Sequence, residues 1–148
     1  MIHFKLSLAD ELGVLDDGYD LVWPEASDNS FKPPKDLLML LNVLHSTETS
    51  TSALLREDAS TLLAKVSVIL RNVLNQRMMQ YPTTIAEDRS ILERPAIGKR
   101  HSMAVQVRLG EKEILASWLH ELSAYAEVNA VSSRESPDAR EQRKKTKT

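Results

Sequence analysis

Leu62-Leu63-Ala64-Lys65-Val66-Ser67-Val68-Ile69-Leu70-Arg71-Asn72-Val73-Leu74 decides the fold class of this 148-residue chain. Leu62, Leu63, Val66, Ile69, Leu70, Val73 and Leu74 step by three and four, the period of one face of an α-helix. Leu55 and Ala59 continue the stripe backwards, and Pro82 stops it, so the spacing predicts a long helix over about 53–80. Arg56, Lys65, Arg71 and Arg77 lie around the rest of its circumference.

Outward from that helix, the same reading finds three more. Pro33-Pro34 opens a leucine-rich helix running to about His45, with Leu37, Leu38, Leu40, Leu41 and Leu44 at helical spacing and Asp36 near the positive end of its dipole. Ser46–Ser52 is a polar break. On the other side, Thr84-Ile85-Ala86-Glu87 has the spacing of a capping box and starts a short helix to about 93, ended by Pro95. A second long helix spans about 100–129, with Ala104, Val107, Ile114, Leu115, Trp118, Leu119, Leu122 and Tyr125 as its apolar stripe. Arg108, Glu111 and Lys112 interrupt that stripe, and Gly110 in mid-helix costs about 1 kcal/mol against alanine.

The N-terminus reads differently. Phe4-Lys5-Leu6-Ser7-Leu8 alternates apolar and polar, which predicts a short strand. Asp16-Asp17-Gly18 is a turn signal, and Tyr19-Asp20-Leu21-Val22-Trp23 reads as extended, with a hairpin about Asp17-Gly18 as the local alternative. After Ala130 the chain becomes rich in Ser, Arg and Lys, the composition of a disordered tail. The expected architecture is therefore all-α: a four-helix array with two long helices, a short N-terminal strand and a disordered basic tail. The expected units are a strand and linker over 1–18, a helical domain over 19–131 and the tail over 132–148.

Composition excludes more chemistry than it suggests. Hydrophobic residues make up 42% and aromatics only 5%, so the core is aliphatic. Net charge is −2, which argues against nucleic acid as the partner of the whole chain. The charge is polarised: residues 1–60 carry eleven acidic and four basic side chains, and the excess reverses further on. The absence of cysteine excludes thiolate nucleophiles and cysteine-ligated zinc. No apolar run is long enough for a membrane span.

Local motifs point the same way. His3, His45, His101 and His120 include no pair at i, i+3 or i, i+4, so they suggest no metal site. Asp16-Asp17 and Glu87-Asp88 are ordinary for a loop and a first helical turn. Trp118 and Tyr125, seven apart, read as core in preference to an aromatic groove. Arg143-Lys144-Lys145-Thr146-Lys147 has the composition of a nuclear localisation signal. Arg108 is the least expected residue on the stripe. A half-buried guanidinium needs acceptors, and the reading assigns it two: Glu111 one turn on, and Asp88 across the interface with the preceding helix.

Two strings carry a family resemblance. Tyr81-Pro82-Thr83-Thr84-Ile85-Ala86-Glu87-Asp88 is followed by Ile91-Leu92, and Arg100 with Met103-Ala104-Val105-Gln106-Val107-Arg108-Leu109-Gly110-Glu111-Lys112 is followed by Ile114-Leu115. Together they resemble the C-terminal substrate-binding domain of the Rubisco large-subunit methyltransferase family, and the likeness extends over about residues 19–122.

The resemblance implies a helical domain that holds a protein substrate beside a SET domain, which binds S-adenosylmethionine and methylates lysine, or histidine in one branch. This sequence shows no SET domain, so no catalytic, cofactor-binding or metal residue is carried over, and substrate contacts are unassigned. Phe4–Leu8 resembles the short strand after the SET domain. The expectation is a module that binds its protein substrate without methylating by itself. S-adenosylmethionine would belong to a SET domain, itself a candidate partner, and the place of work would be the nucleus or cytoplasm. The alternative is a stand-alone helical interaction module with no role in methylation.

Overall fold

A computed structural model describes residues 2–15, 18–21, 31–45 and 56–134, and these residues contain five α-helices and no strand. They are α1 (Ile2–Glu11), α2 (Lys35–His45), α3 (Ala59–Met79), α4 (Ile85–Leu92) and α5 (Lys99–Arg134). The helices pack in the order α1–α2–α3–α5–α4, each against the next. The core runs along the first four of these layers, from Leu8 and Ala9 through Leu38, Val43, Leu62, Val66 and Leu70 to Trp118 and Leu122.

The expected four helices are all present, and the expected strand is a fifth. Phe4–Leu8 lies inside α1. The misleading residue is Lys5. Residues 5, 8, 9 and 12 form an i, i+3, i+4, i+7 face. Leu8 and Ala9 are buried on it, Leu12 is half-buried, and the Lys5 ammonium donates to the Leu44 carbonyl at 2.7 Å. A lysine stem occupies an apolar position while its charged end finds an acceptor, so the polar letter imitates a strand's alternation. Phe4, in contrast, is exposed.

α1 ends on Gly13, whose φ of +67° is left-handed. Gly13 N–H donates to Asp10 O and Val14 N–H to Ala9 O, the paired bonds of a Schellman cap, with Val14 and Ala9 both buried. Residues 2–14 are therefore a capped helix packed on the core, where a strand was expected. Beyond the cap, the Tyr19 hydroxyl donates to Val14 O, and Leu21 packs against the core. Asp16, Asp17, Val22 and Trp23 lie outside the described residues, and with them the hairpin alternative.

α2 begins where expected: the Pro34 carbonyl accepts its first helical bond from Leu38 N–H. α3 starts later than expected, because Asp58 caps it, accepting from Thr61 N–H at 2.7 Å and from the Ser60 hydroxyl at 3.0 Å. Leu55 lies outside the described residues. α5 runs on to Arg134, so residues 132–134 are helical, and the rest of the expected disordered tail, 135–148, lies outside the description. Among the described residues no helix is long and apolar enough to cross a membrane.

Candidate functional site

The two family-like strings meet where α4 docks on the first half of α5. Thr84 caps α4 as its spacing predicts: its hydroxyl accepts from Glu87 N–H at 3.1 Å, and the Glu87 carboxylate accepts from Thr84 N–H at 2.6 Å. Those bonds hold the Glu87 carboxyl below its ordinary range. The box fixes the first turn, which places Asp88 on the face turned to α5.

Asp88 is completely buried. Arg108 Nε donates to its Oδ2 at 3.0 Å, and Arg108 Nη2 donates to Oδ1, a bidentate pair. The Thr83 hydroxyl donates to Oδ1 at 2.7 Å. The Lys112 ammonium forms a second ion pair on Oδ2. Hydrogen bonding from Arg108, reinforced by Lys112 and Thr83, outweighs burial and holds the Asp88 carboxyl well below the usual carboxylate range. The same pairing raises the Arg108 pKa.

Lys112 is only 1% exposed and ties α5 to the α3–α4 link. Its ammonium donates to the carbonyls of Thr83 at 2.8 Å and Thr84 at 3.0 Å. One carboxylate thus pairs with two cations, which leaves the cluster one positive charge in excess, and backbone oxygens supply the remaining acceptors. The geometry is that of a staple between the two motifs.

The expected Arg108–Asp88 bridge is present, but its expected second arm is not. Glu111 instead accepts from the Tyr81 hydroxyl at 2.7 Å. Burial, and then the Glu111 carboxylate, push the Tyr81 phenol above its ordinary value, so it remains a donor. The reason is the direction α5 presents. Val105, Arg108, Lys112 and Leu115 share the inward face, whereas Val107, expected on the stripe, is 65% exposed and Ala104 is exposed too. Glu111 stands beside that inward face and turns toward α3. Lys112 was legible as an interruption of the stripe but not as a ligand of Asp88. Its position one turn after Arg108 is the signal that identifies it.

Two concavities flank this scaffold. The first, of about 260 Å³, lies between Tyr19–Leu21 and the α3–α5 junction, walled by Arg77, Tyr81 and Glu111 and floored by Ile114 and Leu115. Arg77 lies over the Tyr81 ring, 5.4 Å from its centroid, and donates to Gln80 Oε1 at 2.9 Å. The second, of about 710 Å³, is more apolar and is lined by Phe31, Pro33, Leu63, Tyr125 and Val128. Trp118 is core, as expected, with Phe31 edge-on at 5.0 Å; Tyr125 is half-buried and borders the groove. All four histidines are exposed, and among the described residues no group of three His, Asp or Glu side chains is placed to hold a metal.

A family model described as Rubisco LSMT substrate-binding matches residues 2–115, a range that takes in α1 and reaches Leu115 in α5. Among curated proteins, the actin-histidine N-methyltransferases of Rattus norvegicus and Mus musculus are each 54% identical to the chain over 35 residues. That stretch is 24% of this chain and 6% of either relative, so the match covers a small part of their length. No solved structure matches the chain.

Proposed function

Because this chain belongs to the Rubisco LSMT substrate-binding family, we propose that it holds a protein substrate for methylation and does not transfer the methyl group itself. The observation that carries the reading is the family match across residues 2–115, which spans the first four helices, the first half of α5 and both motifs stapled at Asp88. The described residues offer concave, mixed polar and apolar surfaces between rigid helices, which suit a protein better than a small metabolite. S-adenosylmethionine, in this reading, is bound by a SET domain working with these residues, and Asp88, Arg108 and Lys112 serve to hold the two helices that carry the binding surface. The basic string Arg143–Lys147 supports work in the nucleus, with the cytoplasm as the other compartment.

Monomeric actin is the first probe, because the rat and mouse relatives are named for it. Calorimetric titration of the 148-residue chain with actin should give saturable binding, and titration with S-adenosylmethionine should give none. A stoichiometric, micromolar S-adenosylmethionine site would overturn the division of labour. Failure to bind actin, together with failure to inhibit methylation of protein substrates by a SET-domain enzyme of the family when added in excess, would overturn substrate binding.

A further inference from the structure

We infer that the small cleft between Tyr19–Leu21 and the α3–α5 junction is a subsite for a basic side chain, lysine or arginine, presented by the protein substrate. The inference rests on the substrate-binding reading and specifies one of its contacts. It begins with the pairing described above. Arg108 and Lys112, the cations nearest in sequence to Glu111, are both committed to Asp88. Glu111 is left exposed, with the Tyr81 hydroxyl on one oxygen and, among the described residues, no ion-pair partner. Asp20, which also lines the cleft, is exposed and has no partner among the described residues. Arg77 also lines the cleft, but it is engaged by Gln80 and the Tyr81 ring and forms an ion pair with neither acid. Among the side chains that line the cleft, two carboxylates therefore outnumber one guanidinium, and the lining itself is net negative.

The remaining surfaces match the rest of such a side chain. Ile114 and Leu115 offer an apolar floor for a methylene stem, while the carboxylates stand at the walls for its charged end. The Tyr81 hydroxyl orients Glu111, which limits the entropy lost when a cation arrives. A volume of about 260 Å³ suits a single side chain rather than a peptide segment.

The test is an amide-resolved NMR titration of the full chain with N-acetyl-lysine methylamide, N-acetyl-arginine methylamide and the uncharged N-acetyl-norleucine methylamide. Both cations should shift the amides of Asp20, Leu21, Tyr81 and Glu111, and norleucine should not. Glu111→Gln keeps the acceptor for Tyr81 but loses the charge; it should weaken the lysine probe about three- to fivefold, the size of an exposed ion pair. Glu113→Gln, on a residue paired with Arg89 away from the cleft, should leave it unchanged. Equal shifts with norleucine, or an unaltered titration in Glu111→Gln, would overturn the subsite. If shifts appear only after Lys144, Lys145 and Lys147 are changed to glutamine, the occupant is the chain's own tail and the assignment to substrate falls. Actin binding separates the two levels: actin bound with no cation-specific shift defeats the subsite alone, and loss of all protein binding defeats the reading beneath it.

Discussion

Replacing Asp88 by asparagine is the most informative single perturbation of this fold. The side chain keeps its size and its contact with the Thr83 hydroxyl but loses its charge. Arg108, whose side chain is 27% exposed, can turn part of its guanidinium to water. Lys112, at 1%, cannot, and would be left with the Thr83 and Thr84 oxygens alone. Stranding a buried charge in this way costs roughly 3–5 kcal/mol. Arg108→Met should cost less, about 1.5–3 kcal/mol, the worth of hydrogen bonds to a charged group, because Asp88 retains Lys112. Combining Asp88→Asn with Lys112→Met removes both the charge and its stranded partner. Urea unfolding followed by circular dichroism should therefore find the double variant about 1–3 kcal/mol better than the sum of the singles. An Asp88→Asn cost under about 1 kcal/mol, or singles that add within about 0.5 kcal/mol, would refute the staple.

The same carboxylate sets an acid dependence. Its folded pKa lies below its ordinary value of 3.8, so the stabilisation is fully present above that value and is lost as pH falls toward the folded pKa. The stability gap between the natural chain and Asp88→Asn should be flat at neutral pH and should narrow only below about pH 4.

Further outcomes follow from the helices around it. Leu8→Ala, or deletion of residues 1–9, should cost at least about 2 kcal/mol in chemical denaturation, because Leu8 and Ala9 are buried against the core; a silent deletion would contradict the packing of α1. Gly13→Ala should lose about 1–2 kcal/mol for its left-handed φ, whereas Gly110→Ala should gain about 0.5–1 kcal/mol, since a Cβ there meets nothing within 4 Å. Thr84→Ala should cost about 1 kcal/mol through the lost cap while actin binding, where present, is unchanged. A large loss of binding with an unchanged melting temperature would make Thr84 a contact residue instead.

What the sequence made legible follows from how each residue solves its local problem. α3 could be read because Leu62, Leu63, Val66, Leu70 and Leu74 repeat the same solution, an aliphatic side chain facing the core, over four turns. The α4 cap could be read because Thr84 and Glu87 satisfy each other within one turn and need nothing from elsewhere. α1 was misread because Lys5 solves its problem at a distance, through a carbonyl 39 residues away in α2. The α5 face was misread for a related reason. Val107 looked like the core residue and Lys112 like the interruption, and the packing reverses both: α4 supplies a carboxylate that makes burial of Lys112 tolerable, while Val107 stays largely exposed among the described residues. Polarity alone cannot rank two neighbouring helix faces when the deciding partner lies on another element.

The geometry of α5 also explains how a scaffold and a contact surface occupy one helical turn. Arg108 and Lys112 are four residues apart and both point toward Asp88. Glu111, between them, is rotated toward α3 and meets Tyr81. Lys112 acts on both sides of this division: it anchors the Thr83–Thr84 backbone and lies 5.8 Å from the Tyr81 ring centroid. Tyr81 is thereby held at both ends, by the Lys112-anchored link that follows it and by its hydroxyl bond to Glu111. The cleft wall is fixed by the buried ion pairs as well as by the packing of half-buried Tyr81 on the core, while Glu111 is exposed. A charged cluster that contributes little net stability after desolvation still fixes where the cleft carboxylate stands. That gives a physical reason for an aliphatic-cored domain to bury an aspartate and a lysine beside its small polar cleft.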